Sequence, residues 1–135
     1  MNLAIDSNLL VSAVLLPHSV PGAVLSAWRA SAFFWVCCDE QWQELSGTFA
    51  RPHILARIAN GVEPVQTLLR EMKANCRWAT LNRPLPRVCT DANDDFLFAL
   101  HDQGHVNTLV SGDKAVLALK GKYPVLSARE LIDRL

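Results

Sequence analysis

Neither sign of charge prevails in this chain: 13 Lys and Arg stand against 13 Asp and Glu, a formal net charge of zero. The global attraction to polyanions of a strongly basic protein is therefore absent, and any nucleic-acid contact has to be local. Long hydrophobic runs are lacking too. The longest, Ala13 to Leu16 and Ala32 to Cys38, fall far short of the ~20 residues that span a bilayer, so no membrane association is expected. The opening Met1-Asn2-Leu3-Ala4-Ile5-Asp6 has no basic start and no small-residue cleavage site, unlike a signal peptide, and a cytoplasmic location is the expectation. Cys37, Cys38, Cys76 and Cys89 contain no C-x-x-C pair, which argues against zinc and redox centres and leaves them as reduced core residues. His18, His53, His101 and His105 show neither metal-ligand nor triad spacing.

What the chain has is apolar content, 50% of 135 residues, enough for one core and one domain over residues 1–135. Leu3 to Ile5 reads as a strand, and Leu9, Leu10, Ala13 and Val14 recur at helical spacing after it. Pro17 and Pro21-Gly22 break that helix, with a second from Ala23 to Ala30. Phe33 to Cys38 predicts a buried strand, followed by a helix through Glu44 to Phe49 that contains Gly47; an interior glycine costs about 1 kcal/mol relative to alanine. Pro52 opens and Gly61 ends the next helix, and Val65 to Asn75 forms another. Trp78 to Leu81 predicts a strand and Asn82 to Pro86 a turn. Acids at Asp91 to Asp95 mark a helix N-terminus, Thr108 to Val110 a strand, Ser111-Gly112-Asp113 a turn into a helix that stops at Gly121, and Val125-Leu126 a last strand. Ser127 and Glu130 have capping-box spacing. Repeated strand-then-helix order favours an α/β fold, a mostly parallel central sheet with helices on both faces.

In such sheets the ligand site lies beyond the carboxyl ends of the strands. Asp6 follows Leu3-Ala4-Ile5 directly, and Asp113 follows Leu109-Val110 through the Ser111-Gly112 turn. Each acid alone has an ordinary reading: Asp6 and Asp113 as helix caps, Asp91, Asp94 and Asp95 as complements of a helix dipole, and Glu44 as a solvent-facing helical residue. Convergence would change the balance, because carboxylates crowded at one sheet edge repel unless a cation neutralises them. An all-oxygen set suits Mg2+ or Mn2+. Between Arg51 and Arg87 the basic residues are Arg51, Arg57, Arg70, Lys73, Arg77, Arg83 and Arg87, against Glu63 and Glu71 only. That stretch is either a phosphate-facing surface or a solvated one.

Ile5-Asp6-Ser7-Asn8-Leu9-Leu10-Val11-Ser12-Ala13 resembles the opening motif of PIN-domain nucleases. Three further segments agree in order: Glu44-Leu45 with the trailing Phe49-Ala50-Arg51-Pro52, Asp91-Ala92-Asn93-Asp94-Asp95-Phe96-Leu97-Phe98-Ala99-Leu100, and Leu109-Val110-Ser111-Gly112-Asp113-Lys114. The branch most similar is that of toxins from bacterial toxin–antitoxin pairs. The resemblance implies a three-layer PIN-like α/β domain in which Asp6, Glu44, one of Asp94 and Asp95, and Asp113 are the catalytic and metal-site acids. Asp95 is preferred over Asp94, because Leu97, Phe98 and Ala99 at the second to fourth positions after it come closer to the family pattern. Asp91, one turn earlier, is read as an outer contact. Asn8 and Ser111 are read either as hydrogen-bonding the acids or their water, or as ordinary turn residues. The chain departs from the family pattern at His105-Val106-Asn107-Thr108.

The function these features imply is metal-dependent endoribonuclease, with water attacking in line at phosphorus, and, by resemblance, a toxin with a small cognate antitoxin and a homodimeric state. A haloacid-dehalogenase-like phosphotransferase with Asp6 as nucleophile is the alternative enzyme, disfavoured because Asn8 stands where such enzymes need a second aspartate. A non-catalytic PIN-like module binding RNA or protein is the third reading, disfavoured because all the acids are present. Trp28, Trp35, Trp42 and Trp78 are read as core or interface.

Overall fold

Side chains on successive strand residues point to opposite sides, and here both sides are apolar. The computed structural model describes residues 1–59 and 61–135. Five strands, β1 (Asn2–Ile5), β2 (Phe34–Cys37), β3 (Arg77–Trp78), β4 (Thr108–Val110) and β5 (Val125–Leu126), form one sheet in the order β3-β2-β1-β4-β5 with every neighbouring pair parallel. The helices are α1 (Ser7–Leu15), α2 (Val20–Arg29), α3 (Asp39–Phe49), α4 (Pro52–Leu55), α5 (Glu63–Asn75), α6 (Asp95–Asp102), α7 (Lys114–Leu117) and α8 (Ala128–Arg134), with a 3-10 turn at Ala92–Asp94 leading into α6. Leu3, Ile5, Trp35, Cys37, Val110 and Leu126 face a core built with α1 to α5 and α8. Ala4, Val36, Leu109 and Val125 face a second core built with α6 and α7. The fold is therefore three-layered, and covering both faces explains why the strands read as continuous apolar runs.

Strands β1 to β3 step outward in one direction and β4, β5 in the other, so the order reverses between β1 and β4, the topological switch point where such sheets bind ligands. All four cysteines are free and buried, and burial pushes the Cys38 thiol up to about 12. Among the described residues no single helix is long and apolar enough to cross a membrane.

Several expected boundaries move. Helix α2 starts at Val20, not Ala23, because Pro21 sits in the first turn, where its missing N–H is not needed. The helix expected from Pro52 to Gly61 ends at Leu55: the Arg57 N–H reaches back only to the Ile54 carbonyl, and Asn60 lies outside the described residues. Strand β3 is two residues long and not the expected Trp78 to Leu81, and α7 ends at Leu117, short of Gly121. The Ser127–Glu130 capping box is present.

Candidate metal and nucleic-acid site

Pairing of β1 with β4 sets Ile5 opposite Val110, so Asp6 and Ser111 leave the sheet side by side. The Asp6 N–H donates to the Val110 carbonyl at 2.8 Å, and the Ser111 hydroxyl donates to Asp6 Oδ2 at 2.6 Å while its Oγ accepts from the Asp113 N–H at 3.1 Å. Asp6 Oδ1 accepts from the Asn8 N–H at 3.1 Å, Asp113 Oδ1 from the Ala115 N–H at 2.8 Å, and Asp91 Oδ1 from the Asn93 N–H at 2.9 Å. Capping and convergence thus coexist: the caps fix these carboxylates in place, and a carboxylate has more acceptor positions than one cap uses. Of the two flanking residues singled out, Ser111 acts through its side chain and Asn8 through its backbone.

Their electrostatics show mutual proximity. Burial raises the Asp6 carboxyl above its usual range, and the charges of Asp113 and Asp91 raise it further, against the lowering effect of Ser111 and the Asn8 N–H. Burial likewise raises Glu44, with Asp6 and Asp91 adding and the Ser7 hydroxyl opposing. Asp94, 4% exposed, is pushed up to about 7 by burial and then by the charges of Asp6, Asp91, Asp113 and Glu44. Its Oδ2 is buried without a hydrogen-bond partner among the described residues.

Asp94 and Asp95, between which the sequence pattern preferred Asp95, make different contacts. Asp95 Oδ1 accepts from the Val88 N–H at 3.2 Å and Oδ2 lies 3.2 Å from Arg87 Nε, so it secures the preceding loop, while its neighbour Asp94 faces the other acids. One residue turns a helix by about 100°, enough to separate the two. Phase could not tell them apart because Phe96, Leu97, Phe98, Ala99 and Leu100 are all buried, leaving no polar face to count from.

A groove of about 690 Å³ runs past Glu44, Asp91 and Asp94 and is bordered also by Asn8, Asp39, Glu40, Gly47, Arg51 and Arg83 among others. A smaller hollow beside it is lined by Asn8, Leu9, Ser12, Gly112 and Asp113. Ser7 and Gln41 were not singled out by sequence. Gln41, fully buried, donates from Nε2 to the Ile5 carbonyl at 2.5 Å and accepts from Trp35 Nε1 at 3.1 Å. Its signal was a polar residue in phase with the apolar Leu45 and Phe49. The basic stretch from Arg51 to Arg87 does not form one face: Arg77 stacks on Phe34 at 3.6 Å, Lys73 lies over Trp42 at 4.9 Å, and Arg83 pairs with Glu40 at 2.6 Å.

The donor set is all oxygen, and a buried carboxylate oxygen without a partner is the kind of group a hard cation satisfies. Among the described residues, no three His, Cys, Asp or Glu side chains stand close enough to hold an ion as they are, so binding would require the acids to draw in. No match was found among curated proteins or among solved structures. The family profile described as the PIN domain matches residues 2–115, spanning the acid motifs from Asp6 to Asp113. With most of its length matched, including the elements that carry these acids, the chain belongs to the PIN-domain family of nucleases.

Proposed function

We propose that this domain is a Mg2+- or Mn2+-dependent endoribonuclease whose metal-site acids are Asp6, Glu44, Asp94 and Asp113. The observation that carries this reading is Asp94, buried with its Oδ2 unpartnered and raised by the charges of Asp6, Asp91, Asp113 and Glu44 near the switch point. Such repulsion is unfavourable in a metal-free protein and would be relieved by a positive charge. A divalent cation held by these acids would supply Lewis-acid activation of water and charge for the departing phosphodiester oxygen. Asp6, held at both oxygens, is the fixed centre of the set. Asp94 Oδ2 is free to turn to a ligand without breaking a bond. Glu44, on the groove wall beside the Ser7 hydroxyl, would orient the attacking water.

The test is cleavage of single-stranded RNA with Mn2+ by wild type and by Asp6→Asn, Asp94→Asn, Asp113→Asn and Asp95→Asn. Loss of at least ~100-fold is expected in the first three, with Asp95→Asn retaining activity. Equal cleavage by all five proteins would overturn the site, and failure of wild type to bind RNA or cation would overturn the function. The motif resemblance favours a toxin role with a small antitoxin and a homodimer. Expression that arrests growth, relieved by Asp6→Asn, supports that role. The phosphotransferase alternative finds no acid at position 8.

A further inference from the structure

Two features of the groove are left over once the acids are explained. The first is Gly47. It sits inside α3, where glycine costs helix stability, its φ is not positive, and a Cβ built on it would meet nothing within 4 Å. Neither backbone conformation nor packing within the protein therefore requires a glycine. The second is Arg51. The groove is lined by the acids Asp39, Glu40, Glu44, Asp91 and Asp94 and by two cations, Arg51 and Arg83. Arg83 is committed to Glu40, while Arg51 makes no ion pair among the described residues.

These features lie on one line. Glu44, Gly47 and Thr48 lie on one face of α3, Arg51 follows just past its end as the N-cap of α4, and all four border the groove. A polyanion entering a groove so rich in carboxylates needs cationic contacts along its path, and Arg51 is the uncommitted one.

We infer that this face of α3 is the track for the substrate's sugar–phosphate strand, with Gly47 leaving room for close passage and the Arg51 guanidinium holding a phosphate beside the scissile one. The inference rests on the nuclease reading above and adds a binding subsite to it. Arginine suits the place because its planar fork can donate two hydrogen bonds to one phosphate.

The experiment measures binding of a fluorescent single-stranded RNA by anisotropy at several salt concentrations, with Asp94→Asn as a common background to prevent cutting, and KM and kcat with Mn2+ in the otherwise native protein. Arg51→Ala is expected to weaken binding roughly ten- to a hundredfold. It should also lower the slope of log affinity against log salt by about 0.7, the value for one lost single-strand phosphate contact. Arg51→Lys should restore the slope. Gly47→Ala should raise the melting temperature by roughly 3–5 °C, and Gly47→Leu should weaken binding at least tenfold with the slope unchanged. In the otherwise native protein the effect should fall on KM and not on kcat. Wild-type affinity and slope in Arg51→Ala, or wild-type affinity in Gly47→Leu, overturns the track while leaving the nuclease reading standing if RNA is still cut. A wild type that neither binds nor cuts RNA overturns both.

Discussion

Asp94 and Asp95 are adjacent, both almost fully buried, and differently employed. Asp95 has an N–H and a guanidinium for company; Asp94 has other carboxylates. In the unfolded chain Asp94 titrates near 3.8 and in the fold at about 7, so folding favours its protonated form. The stability this contributes is complete below about 3.8 and is lost progressively as the pH rises to about 7. Asp94→Asn is neutral at every pH. In EDTA it is expected to melt roughly 5 °C above wild type at pH 8 and close to it at pH 4. Asp95→Ala should do the reverse, losing roughly 1–3 kcal/mol because the Val88 N–H and Arg87 lose their acceptor. Thermal melts of the three proteins decide the matter, and a wild type that outlasts Asp94→Asn at pH 8 without metal would contradict the crowding. Strand-end position and motif together marked Asp6 and Asp113; Glu44 and the acidic pair leaned on family resemblance, and the different partners of Asp94 and Asp95 are visible only in the turn geometry at Ala92–Asp94.

At the level of elements, two close contacts fix how neighbouring elements sit against each other. Gln41 ties the last carbonyl of β1 to Trp35 of β2 through one buried amide. Gln41→Leu keeps the approximate volume but strands both groups, an expected loss of roughly 2–4 kcal/mol by denaturant titration; a loss below 1 kcal/mol would show that water reaches them. The second contact is at Gly22, where α2 starts against the turn after α1: a Cβ there would lie 2.1 Å from the Pro17 carbonyl oxygen. Gly22→Ala should therefore destabilise by roughly 1–3 kcal/mol or more, opposite in sign to Gly47→Ala. The strands were legible as short continuous apolar runs, buried on both faces, and the long helices because period 3.6 survives in their apolar pattern. Start and stop points were not, since Pro21-Gly22 reads as a break in sequence, whereas in space the proline fits a first turn and the glycine fits a close approach. Gln41 could not be understood without its partners, which lie 6 and 36 residues away.

For the whole molecule, the sheet order brings acids distant in sequence to one place, and their charge links cation binding to protons. In the metal-free protein Asp94 holds a proton up to about 7, and Asp6 and Glu44 are also raised. A cation needs the ionised forms, so binding must expel whatever protons remain. Above pH 7 there is little to expel; below it the proton competes. Mn2+ affinity is accordingly expected to be nearly flat from pH 7.5 to 8.5 and to fall by up to about tenfold per unit between pH 7 and 6, with close to one proton released per protein. Calorimetry in buffers of different ionisation enthalpy counts that proton directly. At pH 8 a Mn2+ concentration 100 times the Kd should add about 2.7 kcal/mol to folding stability, and Asp94→Asn should forfeit most of that gain. Affinity independent of pH from 6 to 8 would mean that Asp94 is not among the groups the cation displaces a proton from, and would return the choice between Asp94 and Asp95 to the latter.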